Sequence, residues 1–172
     1  LTLTGTADLT GTGNALDNVI VGSDGANYLN GLGGNDSIVG GPGNDTLDGG
    51  AGNDLMTGSA GNDTIYGNSG TDTIMDWVHQ NPAVFANGER DTVRVADAWG
   101  PADIIVRRDE RGLDLLHKGG TEKLRIEGLT PATLSLLDDS ALVIFGNGVT
   151  WNARALIAQG LANATSGDDI LI

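Results

Sequence analysis

Cysteine is absent from this chain, so neither a disulfide framework nor a thiolate metal site is open to it. Basic residues are missing from the first half. Residues 1–75 hold nine Asp, no Glu and no Lys or Arg, whereas residues 76–172 hold the other fourteen acids and all nine bases. The first half therefore carries a charge of −9 with no cation of its own. Such a surface repels phosphate backbones and anionic lipid, which argues against nucleic acid or a membrane face as partner. No apolar run approaches the length that crosses a bilayer, and direct membrane insertion is not expected. The chain also lacks HExxH, GxSxG and GxxxxGK[ST], and its two histidines, His79 and His117, stand apart from any such motif. Catalysis by this chain itself is therefore not expected.

What is present is a repeat. Glycine is concentrated at the start, with 18 of 28 residues in the first 75. From Gly13 to Met75 a nine-residue unit recurs seven times without a gap: GNALDNVIV, GSDGANYLN, GLGGNDSIV, GGPGNDTLD, GGAGNDLMT, GSAGNDTIY and GNSGTDTIM. The sixth positions are Asn18, Asn27, Asp36, Asp45, Asp54, Asp63 and Asp72, and the eighth are Ile20, Leu29, Ile38, Leu47, Met56, Ile65 and Ile74. A fixed short period is the signature of a solenoid. Six glycine-rich residues read as a turn, and three residues with an apolar centre read as a short strand whose middle side chain points inward. Glycine at positions one and four, and often two, is expected to supply the positive φ that tight turns need. Two turns and two strands would close one coil of 18 residues, with Ile20, Ile38, Met56 and Ile74 facing Leu29, Leu47 and Ile65.

Such a core is only one residue wide, too thin to offset the entropy of ordering each turn. The acids make matters worse, because units two apart stack at about 4.8 Å. Carboxylates at that spacing repel by roughly 1–3 kcal/mol per pair. A hard cation between stacked turns reverses the sign. Calcium accepts six to eight oxygens in flexible geometry, and glycine-rich turns offer carbonyls beside the carboxylates, whereas magnesium demands a tighter octahedron.

Residues 40–54, GGPGNDTLDGGAGND, follow the pattern GGxGxDxUx. The stretch resembles the haemolysin-type calcium-binding nonapeptide repeats of RTX proteins, which bacteria export by type I secretion. The resemblance implies a calcium-binding solenoid in which each ion lies between turns n and n+2. Two sixth-position side chains would hold it, with carbonyls of positions two and four of one turn and one and three of the other. Carried onto this chain, Asp36–Asp54 would be joined by the carbonyls of Leu32, Gly34, Gly49 and Ala51. Asp54–Asp72 would be joined by Gly50, Gly52, Gly67 and Ser69, and Asp45–Asp63 by Gly41, Gly43, Gly58 and Ala60. Two further sites, Asn18–Asp36 with Gly31 and Gly33 and Asn27–Asp45 with Gly40 and Pro42, lose a charge each. Unit one also replaces its fourth-position Gly with Leu16. About five Ca2+ sites follow, three of them strong and the first ones weak or empty. A sixth, from Asp63 toward Asp76 or Asn81, would fall where the repeat dissolves.

Beyond Asp76 apolar and charged residues alternate, and Asp91–Ala96, Ile104–Arg108, Leu113–His117, Lys123–Gly128, Ala141–Phe145 and Val149–Trp151 read as strands. RDERG, HKGG and GNG read as hairpin connections, with 149–151 pairing onto 141–145. Asn152–Leu161 reads as a short helix with Asn152 as its N-cap. Residues 90–157 look similar to the haemolysin-type calcium-binding-related domain that follows such rolls. Trp77, Val78 and Phe85 are the expected plug on the last coil, and Trp99 and Trp151 are expected to be core. ATSGDDILI, residues 164–172, restores the repeat with Gly167, Asp169 and Leu171 in register.

The fold expected is all-β: a right-handed parallel β-roll followed by a β-rich capping segment with a short C-terminal helix. Its parts would be a degenerate lead-in coil (1–12), the roll (13–75), the flank (76–163) and the start of a further repeat (164–172). The chain reads as a piece of a longer secreted bacterial protein, folding on calcium outside the cell. Its partners would be calcium, neighbouring repeat blocks and the secretion machinery. Alternatives are a structural block of a giant adhesin or surface-layer protein, a toxin segment, or the non-catalytic tail of a secreted hydrolase.

Overall fold

The computed structural model describes residues 1–75, 92–95, 100–108, 112–118, 123–127, 143–145, 148–152, 154–155 and 158. Strands β1 (Thr10–Asn14), β3 (Tyr28–Leu32), β5 (Thr46–Asp48) and β7 (Thr64–Tyr66) line one wall of the repeat region. Strands β2 (Val19–Val21), β4 (Ser37–Pro42), β6 (Leu55–Ala60) and β8 (Thr71–Ile74) line the other. Within the repeats all pairings are parallel with a register of 18 residues, as in Ile38↔Met56 and Leu29↔Leu47. One coil is therefore two nonapeptides, and successive coils stack as a β-roll. Ile20, Ile38, Met56 and Ile74 from one wall, and Leu29, Leu47 and Ile65 from the other, are all 0% exposed. The eighth-position rule holds at every unit, because the alternation of a strand turns that side chain into the roll. Leu1–Leu3 runs beside β2, and its Leu1 side chain lies over Gly11, which takes the inward position in β1.

The flank begins with β9 (Thr92–Arg94), followed by β10 (Ile104–Arg108), β11 (Gly112–His117), β12 (Lys123–Glu127), β13 (Val143–Ile144) and β14 (Thr150–Trp151). These fall inside or within a residue of the spans expected from sequence. The antiparallel pairs β10–β11, β11–β12 and β13–β14 are also as expected. The parallel pairs are not foreseen by sequence. β9 joins β7 with Val93 opposite Ile65, β13 joins β9 with Val143 opposite Val93, and β12 joins β8 with Ile126 opposite Ile74. Both sheets thus run unbroken from the repeats into the flank, with seven strands each among the described residues. The core widens there to include Ile104, Val106, Leu113, Leu115 and Phe145.

Trp151 is buried edge-on against Phe145, with ring centroids 4.8 Å apart, so it is a packing residue. The Ala155 N–H donates to Asn152 Oδ1 at 2.9 Å, the bond an N-cap makes. Apart from Asn152, Arg154, Ala155 and Ala158, the residues of the expected helix, together with Trp77, Val78, Phe85, Trp99, His79, Asp76, Asn81 and residues 164–172, lie outside the described residues. Among the described residues no helix is long and apolar enough to cross a membrane.

Candidate metal centre

Each turn folds its sixth-position side chain inward, and Asp36, Asp45, Asp54, Asp63 and Asp72 are only 1–2% exposed. A buried carboxylate without a countercharge is expensive, so its oxygens must be accounted for. One oxygen of each is anchored to the coil below. The N–H groups of Asn18, Asp36 and Asp54 donate to the Oδ1 atoms of Asp36, Asp54 and Asp72 at 2.7, 2.9 and 3.0 Å. On the other edge Asn27 and Asp45 donate to Asp45 and Asp63, both at 2.7 Å. The acids consequently form two columns, Asp36–Asp54–Asp72 and Asp45–Asp63, one carboxylate per coil.

The second oxygen is different. Oδ2 of Asp36 and of Asp54 is buried and accepts no hydrogen bond, and Oδ2 of Asp45 and Asp63 is equally enclosed. Each hangs over the first-position glycine of its own turn. A Cβ on Gly31 would stand 2.1 Å from Asp36 Oδ2 and 2.6 Å from the Gly49 carbonyl oxygen; a Cβ on Gly40 would stand 2.4 Å from Asp45 Oδ2 and 2.6 Å from the Gly58 oxygen. A carboxylate oxygen of one turn and a first-position carbonyl of the turn two units on therefore face one small space. An all-oxygen cradle around an orphaned carboxylate fits a hard divalent cation. Among the described residues no three acidic, His or Cys side chains converge. A donor set here could pair two carboxylates with backbone oxygens.

This geometry corrects the expected role of glycine. Positive φ falls at position two (Leu32, Gly41, Gly50, Ser59, Asn68) and position four (Gly34, Gly43, Gly52, Gly61, Gly70), not at position one. Position one is glycine because the carboxylate fills the place of a side chain. Carbonyls at positions two and three are already in the turn ladder. Leu32 and Gly50 accept from the N–H groups of Ala51 and Ser69, while Ala51, Ala60 and Ser69 accept from those of Gly34, Gly43 and Gly52. A carbonyl keeps a second lone pair, so these bonds orient it without barring ligation.

The first two turns are built otherwise. The Asn14 N–H donates to Asn18 Oδ1 at 2.7 Å, and the Ser23 N–H donates to Asn27 Oδ1 while Asn27 Nδ2 donates to Ser23 Oγ at 3.0 Å. Neither Asn14 nor Ser23 has positive φ. In those turns an amide hydrogen stands where the later turns leave an oxygen open.

Sequence reasoning missed the fifth position. Asn35 Oδ1 accepts from the Asn53 N–H, Asn53 Oδ1 from the Thr71 N–H and Asn44 Oδ1 from the Asn62 N–H, at 2.8–2.9 Å. The signal was the Asn that precedes Asp in four consecutive units. This ladder ties each turn upward while the Asp ladder ties it downward.

Burial raises the Asp54 carboxyl above its ordinary value. The Asp36 N–H offsets part of the rise, and the Asp36 and Asp48 carboxylates add to it. Burial likewise raises Asp48, against hydrogen bonds from Asn68 and the Gly50 N–H. His117 ends β11 half-buried, opposite Ile104, and is remote in sequence from either column.

A parallel β-roll whose turns enclose rows of carboxylates has the architecture of a cation-binding solenoid. Residues 12–47 and 39–74 match the family model of the RTX calcium-binding nonapeptide repeat, four copies each time, so residues 12–74 are an RTX repeat array. No curated protein matches the chain. Among solved structures it is similar to the solution structure of the AlgE6R3 subunit from the Azotobacter vinelandii mannuronan C5-epimerase. That likeness has 22% identity and a TM-score of 0.51, and covers 94% of this chain and 91% of that one. It is a likeness of fold.

Proposed function

We propose that this chain is a calcium-dependent folding block of a larger secreted bacterial protein, without catalysis of its own. The observation that carries the reading is the unpartnered Oδ2 of Asp36 and Asp54, buried in a half of the chain that has no base. Calcium between stacked turns would supply the missing charge, at Asp36–Asp54, Asp54–Asp72 and Asp45–Asp63. Each independent site filled to ten times its dissociation constant adds about 1.4 kcal/mol to folding. In a low-calcium cell the array stays unfolded and passes an exporter of the type I class; outside, calcium folds it. Neighbouring repeat blocks of the same parent are its natural contacts, as they would be in an adhesin, a surface layer or a toxin. A second reading, the non-catalytic tail of a secreted enzyme, is favoured by the epimerase origin of the similar solved structure.

The test is far-UV circular dichroism with Trp fluorescence, titrating calcium and then magnesium into chelator-stripped protein. A cooperative gain of β signal with calcium alone is expected. A chain already folded in chelator and indifferent to calcium would reduce the Asp columns to turn formers.

A further inference from the structure

The turns of this roll exist in two states, and the difference lies in where the second-position N–H points. In units one and two it enters the site and donates to Asn18 or Asn27. In units three and five it is held elsewhere. The Leu32 N–H donates to Asn30 Oδ1 at 2.9 Å, and the Gly50 N–H donates to the Asp48 carboxylate. Asn30 and Asp48 are ninth-position residues, each placed just before the turn it controls. They pair across β3 and β5, so they form one column on the outside of the roll. Asp48 also receives Nδ2 of Asn68, a second-position residue one coil further on. Units one and two have Thr12 and Val21 at the corresponding place. Neither supplies an Asx side chain that could take the next N–H but one. On the other edge β4 and β6 extend through their second positions and pair there, Gly41 opposite Ser59.

We infer that Asn30 and Asp48 are positioning residues that open the cation sites at Asp36 and Asp54. Each captures the second-position N–H that would otherwise fill the site. The inference rests on the calcium reading above. With the N–H captured, Leu32 and Gly50 adopt left-handed φ of 73° and 93°, and the carboxylate oxygen of Asp36 or Asp54 is left without a donor. Without the capture, the N–H would turn inward and bond the carboxylate, as its counterparts bond Asn18 and Asn27. A charge-assisted hydrogen bond would then compete with the ion.

The test uses the full chain and calcium, read residue by residue through backbone amide resonances. Asn30→Ala and Asp48→Ala remove the acceptor, whereas Asn30→Asp and Asp48→Asn keep one. Expected is roughly tenfold weaker calcium binding at Asp36 and Asp54 in the Ala variants, the competing bond being of that order. The Asp45 amide should titrate as in the wild type, and the acceptor-preserving variants should recover most of the loss. Ala variants that titrate like the wild type, or weaken both edges equally, would overturn the inference. So would Asp or Asn replacements no better than Ala. A wild-type chain with no calcium response would instead remove the calcium reading on which it stands.

Discussion

Gly49 and Gly33 separate two uses of glycine in one repeat. A Cβ on Gly49 would stand 2.4 Å from Asp54 Oδ2, whereas one on Gly33 would meet nothing nearer than 3.6 Å and needs no positive φ. Gly49→Ala is therefore expected to weaken calcium binding at least about tenfold by displacing the carboxylate, a steric conflict in a packed site. Gly33→Ala should be neutral or stabilise by about 0.4–1 kcal/mol through the unfolded chain. Calorimetric calcium titration and thermal melts would check the pair. Leu32 is the opposite case, a half-exposed leucine held at φ 73°. The left-handed region costs a branched residue about 1–2 kcal/mol and Asn less, so Leu32→Asn should raise the melting temperature in calcium. At Asp54 the sign of pH dependence follows from its raised pKa. The folded, calcium-free chain holds that proton more tightly than the unfolded chain, so its contribution to stability is lost as pH rises from 3.8 through the raised value. Calcium needs the ionised form. Its affinity should fall about tenfold per pH unit, per proton displaced, once pH drops below that raised pKa. An affinity that stays flat through that range in titrations at a series of pH values would show that the carboxylate is not a ligand.

At the scale of the element, each strand of the roll is held by one inward side chain and two turn ladders. Met56 is 0% exposed between Ile38 and Ile74 in its own column. With no second layer to close the gap, Met56→Ala should cost about 2–5 kcal/mol. That loss should appear as a shift of the calcium-dependent folding midpoint in circular dichroism, because folding and ion binding are linked. The strands were legible in the sequence, since a period of nine with one apolar position admits little else. Their lengths were not. β4 and β6 each run six residues, through second positions that read as turn, because parallel pairing extends there. The two turn states were equally hidden, being set by side chains nine and two positions apart across a unit boundary.

For the whole molecule, the roll does not end where the repeat ends. β8 is continued by β12, and β7 by β9 and β13, so the inner columns run on through Ile126, Val93 and Val143. Leu124 closes one acid column, lying opposite Asp72 and 2.8 Å from where a Gly67 Cβ would be. A chain cut after Met75 would expose the edges of β7 and β8 together with Ile65 and Ile74. It should fail to fold fully even in saturating calcium. A truncated chain with the full cooperative β transition of the intact protein would show that the flank is dispensable.

The sequence alone determined the coil, the inward row and the identity of the carboxylates. Each follows from a strict period acting on short-range geometry, where glycine, Asp and one aliphatic residue leave few options. Only the tertiary structure decided which oxygens lie open, why the first glycine is obligatory, and where the sheets stop. Those depend on what stands 18 residues away in the next coil, on which N–H a neighbouring side chain captures, and on flank strands whose parallel register no local pattern encodes.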